Sequence, residues 1–288
     1  MNGNRSGTTV LITGCSSGFG RCLAEYLKKK GYRVLATARR EEDVKTLSQS
    51  GQESFLLDLN SSDSIKSAVR DIIASTGGRL DVLVNNAGLA VMGAVEDLSR
   101  AAVRQQFETN LFGALELTAL LIPVFRKTGQ GKIIFISSPN SNGFGYPFLG
   151  IEAASKSALE TAAVALRREL RGSGIWVSTV CPGEFHTGLF NRLLAEFSKN
   201  VNPENSVHRE RYQRLIENFS QPETDSRKFN LVPVAEAVRK IIESKNPPRR
   251  VLLPLGTRIH YLAHVFLPEW LQDLFLFRKM KKKIGIDM

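Results

Sequence analysis

The feature that most restricts how this chain can fold is an alternation, from Thr8 onward, of short β-rich apolar runs with longer amphipathic stretches. The runs TVLIT (9–13), RVLATA (33–38), SFLLDL (54–59), DVLVNNA (81–87), KIIFISS (132–138) and WVSTVCPG (176–183) predict six successive strands. The stretches 19–30, 42–49, 62–75, 101–125 and 152–171 predict the helices between them. Strands that are apolar on both faces need cover on both. Right-handed crossovers then give an α/β fold, a doubly wound parallel sheet of Rossmann type flanked by helices. One domain is expected over 1–250, followed by an amphipathic, basic extension over 251–288. Between 184 and 230 the pattern loosens into apolar clusters (Phe185, Leu189, Phe190, Leu193, Leu194, Phe197) and a polar stretch, NPENSVHRERYQR, before a helix resumes over 234–244. An insertion there, beside the carboxyl edge of the sheet, reads as a substrate lid or as a surface helical hairpin.

Composition narrows the function classes. A chain of 288 residues, 42% of them apolar, sustains a packed core. Three cysteines (Cys15, Cys22, Cys181) are an odd number without paired spacing, which supports neither a bridge framework nor a zinc cluster and fits a reducing, cytoplasmic setting. Neither a signal peptide nor a membrane span is expected at the start, and no uninterrupted apolar stretch elsewhere is expected to span a bilayer. The net charge of +11 is no uniform stripe: residues 278–288 hold Arg278, Lys279, Lys281, Lys282 and Lys283 against Asp287 alone. A nucleic-acid partner is therefore not expected.

The first strand runs into Thr13-Gly14-Cys15-Ser16-Ser17-Gly18-Phe19-Gly20, which opens the first helix. Glycines at 14, 18 and 20 permit a tight turn and let backbone approach a pyrophosphate, whose charge the amides at a helix N-terminus would meet. The spacing TGxxxGxG and five further motifs in order resemble the short-chain dehydrogenase/reductase family over residues 8 to about 190. The five are Asp58 in LLDL, Asn85-Asn86-Ala87-Gly88, Asn110, Ser138 with Lys156, and Pro182-Gly183. The resemblance implies that Gly14, Ser16, Ser17, Gly18, Phe19 and Gly20 hold the pyrophosphate and that Asp58 contacts adenine. It further implies that Asn85, Ala87 and Gly88 support the adenosine side, that Pro182, Gly183 and Thr187 lie against the nicotinamide, and that Lys156 holds the ribose. At the end of the second strand, Ala38 stands where an NAD site needs a carboxylate, and Arg39 and Arg40 follow it. Cations without a repelling acid favour NADP(H), with Arg39 the first phosphate clamp and Arg40 the second.

The resemblance also implies a catalytic set in which a tyrosine stands four residues before the lysine, Ser138 orients substrate and Asn110 supports a proton relay. Here the tyrosine position is Glu152, in Glu152-Ala-Ala-Ser-Lys156. A glutamate starts near a pKa of about 4.3, and a lysine one turn away should hold it lower, ionised and unable to donate a proton. Desolvation in an apolar pocket is the opposing effect. Its side chain is shorter than tyrosine's, so a bridging water is needed. Ser138 precedes Glu152 by fourteen positions, one more than the family's spacing. Strict counting puts Pro139 in the serine's place, and a one-residue insertion in PNSNGFGYPFLG restores Ser138. Tyr146 in that loop is either a substitute phenol or a pocket wall. His186 is either a pocket residue or a cap, and His260 with His264 share a helical face without a third ligand.

The segment 259–283, IHYLAHVFLPEWLQDLFLFRKMKKK, is amphipathic, aromatic and closed by basic residues. It suits packing over the substrate mouth or against a partner subunit first, and peripheral contact with an anionic membrane second. This end resembles the retinol and hydroxysteroid dehydrogenase branch of the family, which implies a steroid-, retinoid- or lipid-like substrate and a homo-oligomer paired through the helices 101–125 and 152–171. Three functions are open at this point. They are an NADP(H)-dependent oxidoreductase with an altered acid/base, a nucleotide-binding pseudoenzyme acting as a sensor or partner-binding module, and a non-redox isomerase or dehydratase.

Overall fold

Seven parallel strands make one sheet in the computed structural model, which describes residues 7–141, 145–183, 185, 189–220 and 230–284. The strands are β1 (Thr9–Ile12), β2 (Arg33–Ala38), β3 (Glu53–Leu56), β4 (Val82–Asn85), β5 (Gly131–Ile136), β6 (Ile175–Pro182) and β7 (Arg250–Leu253), and their order across the sheet is β3-β2-β1-β4-β5-β6-β7. The order reverses beside β1, where Leu11 aligns with Leu35 on one side and Leu83 on the other. At such a reversal the flanking crossovers leave on opposite faces and a crevice opens at the carboxyl ends of the strands.

Side chains of period two send β1 into two cores. Val10 and Ile12 pack with Leu23 and Leu27 of α1 (Gly18–Lys29) and Val238 of α9 (Val232–Glu243). Leu11 packs with Ile65 and Ile72 of α3 (Ser62–Ser75), Leu117 and Phe125 of α5 (Gly113–Thr128) and Leu159 of α6 (Gly150–Glu169). On the first face α2 (Glu41–Gln49) adds Leu47. The helix expected over 101–125 is broken: α4 (Arg100–Phe107) passes through a π turn, Glu108–Phe112, into α5. The extra backbone residue of a π turn re-aims side chains at that level, and Asn110 is among them.

Four findings differ from the sequence reading or extend it. Strand β7 was not foreseen and runs across the boundary placed at residue 250; RVLL is only four residues, set between prolines, and closes an edge. The helical stretch 100–128 is long and apolar enough to cross a membrane by length and composition. In this fold, however, Leu117, Leu121 and Phe125 are fully buried against the sheet. The described part of 184–230 contains the helices α7 (Leu189–Asn200) and α8 (Arg209–Ser220), so much of the polar stretch is helical. Tyr212, wholly buried, explains its anchoring: the hydroxyl accepts from the Ala94 amide at 2.8 Å and donates to Asp97. Finally, the described part of the extension, 251–284, is packed on the domain by its own helices. After β7 come α10 (Leu255–Phe266) and α11 (Glu269–Ile284), and Leu276 and Met280 are buried in a third core with Phe148, Phe197 and Tyr212.

The π turn hands over to α5 at Gly113, where a Cβ would stand 2.0 Å from the Leu59 carbonyl oxygen. Gly113→Ala should therefore destabilise by about 1–3 kcal/mol through overpacking. Thermal unfolding checks this; a Tm equal to that of the native protein would contradict so close a packing of helix on loop.

Candidate active site

The turn after β1 is shaped to bring backbone near an anion. Gly14 (φ 71°) and Gly18 (φ 57°) occupy left-handed conformations, and a Cβ on Gly20 would fall 2.2 Å from the Gly14 carbonyl oxygen. Helix α1 starts at Gly18 without an acidic residue in its first turn and without a side-chain cap from Ser17. Its leading amides thus point at the crevice unneutralised, as phosphate binding requires. Asn86 holds the turn, donating from Nδ2 to the carbonyls of Thr13 (2.8 Å) and Gly14 (3.2 Å). The Thr13 hydroxyl accepts from the amides of Asn86 and Ala87, both at 2.9 Å. Arg192 of α7 donates to the Ser17 hydroxyl, which sets a cation from the 184–230 segment over the turn.

At the end of β2 the two arginines differ. Arg40 is held by Asp43 in a bidentate ion pair of 2.8 and 3.0 Å, whereas Arg39 is exposed and, among the described residues, has no partner. Asp58 accepts from the Asn60 amide at 3.0 Å and is half-buried beside the crevice-side turn after β3. The side chain of Asn85 donates to Thr118 at 2.9 Å inside the seam between β4 and α5 and is 3% exposed, so it holds the central strand on which the 86–88 turn stands. Cys15, buried beneath the turn, has its thiol pushed up to about 12 by that burial, against a lowering contact from the Thr37 backbone. Such a thiol is no nucleophile.

The floor of the crevice is the start of α6. Lys156 is buried and donates to the Ile136 carbonyl oxygen at 3.0 Å. Gly88 leaves room there: a Cβ on it would lie 3.4 Å from both Lys156 Nζ and Asn110 Oδ1. Asn110, aimed by the π turn, grips Leu89 on both backbone groups, accepting from its amide at 2.7 Å and donating to its carbonyl at 2.8 Å. It also donates to Ser155 at 3.0 Å. Gln106 repeats the clamp one turn earlier, accepting from the Val91 amide and donating to the Leu89 carbonyl at 2.8 Å. Ser155 donates to the Glu152 carbonyl at 2.8 Å, which ties Glu152 to this network.

Burial raises the Glu152 carboxyl above the ordinary carboxylate range, although the Lys156 ammonium pulls it down. The expectation that lysine would hold it low is thereby reversed, because the cost of desolvating the anion exceeds the attraction. Burial likewise lowers Lys156 below the ordinary lysine range, against the opposing pull of Glu152, Cys181 and Glu160. Ser138 follows β5 half-buried, with its hydroxyl accepting from the Asn140 amide at 3.3 Å. Its carbonyl accepts from the Ser141 amide at 3.2 Å, and the Ser141 hydroxyl donates to the buried Glu160 at 2.8 Å. Tyr146 packs against the third core and lies under Lys279 (5.9 Å to the ring centroid), the position of a wall. Phe148, at φ 66°, is the single non-glycine residue with positive φ among those described, and its ring meets Tyr212 at 5.3 Å.

Sequence reasoning placed Gly14, Ser16, Ser17, Gly18, Phe19, Gly20, Ala87, Gly88, Asn110, Ser138, Glu152, Lys156, Pro182 and Gly183 along one crevice edge. The turn after β1 and those after β4, β5 and β6, with the start of α6, lie at the carboxyl ends of neighbouring strands. Gly183 is pinned by its amide to the Leu253 carbonyl at 2.7 Å. His186 and Thr187 lie outside the described residues, as does the side chain of His260; His264 pairs with Gln272. The reading missed Asn86's hold on the turn, Gln106, Ser155 and Arg192. The first three sit near recognised motifs, but Arg192 is brought over from a distant helix, with no local signal.

A raised carboxyl pKa has a signed consequence for stability. The unfolded chain releases the Glu152 proton near about 4.3, whereas the folded chain keeps it to higher pH. Above that point the native state therefore binds more protons, and stability falls as pH rises through the folded value. Against Glu152→Gln, the native protein should lose Tm progressively as pH rises from about 4.3. Tm measured against pH for both proteins checks this, and parallel curves would mean that the carboxyl ionises as an exposed glutamate does.

The family model described as short chain dehydrogenase matches residues 8–196. Among curated relatives, the uncharacterized oxidoreductase YbbO of Escherichia coli K12 is 38% identical over 270 residues, covering 93% of each chain. The 3-ketodihydrosphingosine reductase of Bacteroides thetaiotaomicron is 35% identical (92% of this chain, 93% of the other), and human retinol dehydrogenase 8 is 36% identical (84% and 80%). A solved short-chain dehydrogenase from Streptomyces avermitilis superposes with a TM-score of 0.75 at 30% identity, covering 97% of this chain and 99% of the other. With its nucleotide-binding turn, seven-stranded parallel sheet and these relatives, the chain belongs to the short-chain dehydrogenase/reductase family of oxidoreductases.

Proposed function

We propose that the protein is an NADP(H)-dependent oxidoreductase that interconverts a hydrophobic carbonyl compound and its alcohol, with Glu152 in the acid/base position. The observation that carries this reading is the setting of half-buried Glu152 one turn before the buried Lys156, where desolvation outweighs the pull of the ammonium and favours a proton on the carboxyl. A nicotinamide cofactor supplies or accepts the hydride when bound. In the direction of reduction, Glu152 holds the proton that passes through a bridging water to the carbonyl oxygen, and the carboxylate left behind sits beside Lys156. The Ser138 hydroxyl orients that oxygen. Lys156, fixed on the Ile136 carbonyl, is placed to hold the ribose, and Asn110 keeps the 88–91 segment and Ser155 in position. Gly14, Ser16, Ser17, Gly18, Phe19 and Gly20 receive the pyrophosphate, joined by Arg192; Asp58 supports the adenine side, and Pro182 and Gly183, with Thr187, the nicotinamide.

Preference for NADP(H) is supported by Arg39, which has no ion-pair partner among the described residues, next to the uncharged Ala38; Arg40 stays with Asp43. The apolar core around Phe148, Phe197 and Tyr212, together with relatives named for retinol and a sphingoid ketone, supports a retinoid-, steroid- or lipid-like substrate. Exposed Phe112 and Leu120 on the outer side of the α4–α5 pair support a homo-oligomer built on these helices, in a cytoplasmic protein.

The competing reading is a pseudoenzyme that binds nucleotide and transfers no proton, favoured by the shortness of glutamate at a tyrosine position. NADPH absorbance followed with a panel of hydrophobic ketones and aldehydes separates the two. Turnover by the native protein that falls about a hundredfold or more in Glu152→Ala supports the enzyme. Turnover only by Glu152→Tyr would leave the pseudoenzyme. Product formed without net NADPH loss would instead point to an isomerase or dehydratase. Arg39→Ala should weaken NADPH binding about tenfold to a hundredfold, the worth of one charge-assisted hydrogen bond, while NADH binding stays unchanged. An equal loss for both cofactors would remove Arg39 from phosphate recognition.

A further inference from the structure

The two C-terminal helices present an outer face that no described residue covers. On α10, Ile259, Leu262 and Phe266 repeat at three and four residues and are all exposed; on α11, Trp270, Leu274 and Phe277 do the same. Phe266 is 78% exposed and Trp270 68%, values that a soluble surface rarely gives to adjacent aromatic residues on two helices. The corner between the helices is built, not loose. Gln272 donates to the carbonyls of His264 (3.0 Å) and Leu267 (2.7 Å), which locks both apolar rows into one surface. The inner side of α11 is ordinary core, with Leu276 and Met280 buried.

Charge says what covers the outer face. Between residues 255 and 284 the chain carries six lysines and arginines against Glu269 and Asp273. A second copy of the same face would bring the same excess and add to the repulsion. An anionic lipid surface neutralises it while taking up the aromatic side chains at the level of the headgroups. The geometry points to α10 and α11 as a docking face for an anionic lipid bilayer, set so that the mouth of the active-site crevice opens at the lipid. The second half of that statement rests on the reading of Glu152 as the acid/base position. Lys279 of α11 lies over the Tyr146 ring, Leu149 and Ile151 pack against the core that holds Leu276, and α6 brings Glu152 immediately after them. A long apolar substrate could then reach the crevice from the bilayer without crossing water.

The test uses the full chain with two kinds of vesicle, phosphatidylcholine alone and phosphatidylcholine mixed with phosphatidylglycerol. The chain has two tryptophans, so Trp176→Phe leaves Trp270 as sole reporter. Co-sedimentation with the anionic vesicles, a blue shift of Trp270 emission on binding, and weakening on added salt are expected. Ile259→Glu with Phe266→Glu should lower vesicle binding at least tenfold while NADPH binding, measured separately, is kept. That retained binding also shows the variant is folded. Failure to bind anionic vesicles, or equal binding to both kinds, overturns the proposal. So does a native oligomer that the double variant splits into monomers without any vesicle binding, which assigns the face to a second copy. Absence of turnover by the native protein while it binds anionic vesicles would strike the oxidoreductase reading and leave the docking face standing.

Discussion

A lysine ammonium sealed at the base of the crevice is the constraint around which the site is arranged. Lys156 has a backbone carbonyl at 3.0 Å and little water, and a buried cation in that position must be compensated by its neighbours or lose its proton. Glu152 lies one turn before it and Glu160 one turn after, so two carboxyls along one face of α6 favour the ammonium against the cost of its burial. The clamp of Asn110, Gln106 and Ser155 on the 88–91 segment closes the site from above. It is possible because the π turn rotates Asn110 inward, so an irregularity of one helix determines the access of another.

The fold was legible wherever local pattern and tertiary role coincide. All six strands read from apolar runs are present within two residues at each end, except that β3 stops at Leu56, short of the expected Leu59, and the glycine turn lies where its spacing placed it. Strand β7 escaped because four residues between prolines carry no periodicity, and its pairing comes from β6. The π turn escaped because the apolar pattern of 101–125 runs through it unbroken, and only Asn110's grip on Leu89 reveals it. In the site, motif residues were readable one by one, but electrostatics were not. Sequence spacing shows that a lysine stands near Glu152 and not how far each is withdrawn from water, and desolvation decides the direction of the carboxyl's shift. Arg192 could be found only by folding α7 over the turn.

The same separation of inner and outer faces recurs at the chain's end. Helix α11 is held by Leu276 and Met280 in the third core with Phe148 and Tyr212, and its other side carries exposed Trp270, Leu274 and Phe277. The loop Tyr146–Leu149, strained at Phe148, lies between that helix and the acid/base position.

The central claim is that desolvation makes the Glu152 carboxyl keep its proton to higher pH than an exposed glutamate does. Infrared difference spectroscopy between the native protein and Glu152→Gln, recorded in heavy water across a pH series, reads this directly. The account predicts that the carbonyl stretch of the protonated carboxyl gives way to carboxylate bands at higher pH than for a free glutamate side chain. A change at the pH of the free side chain, or below it, would contradict it.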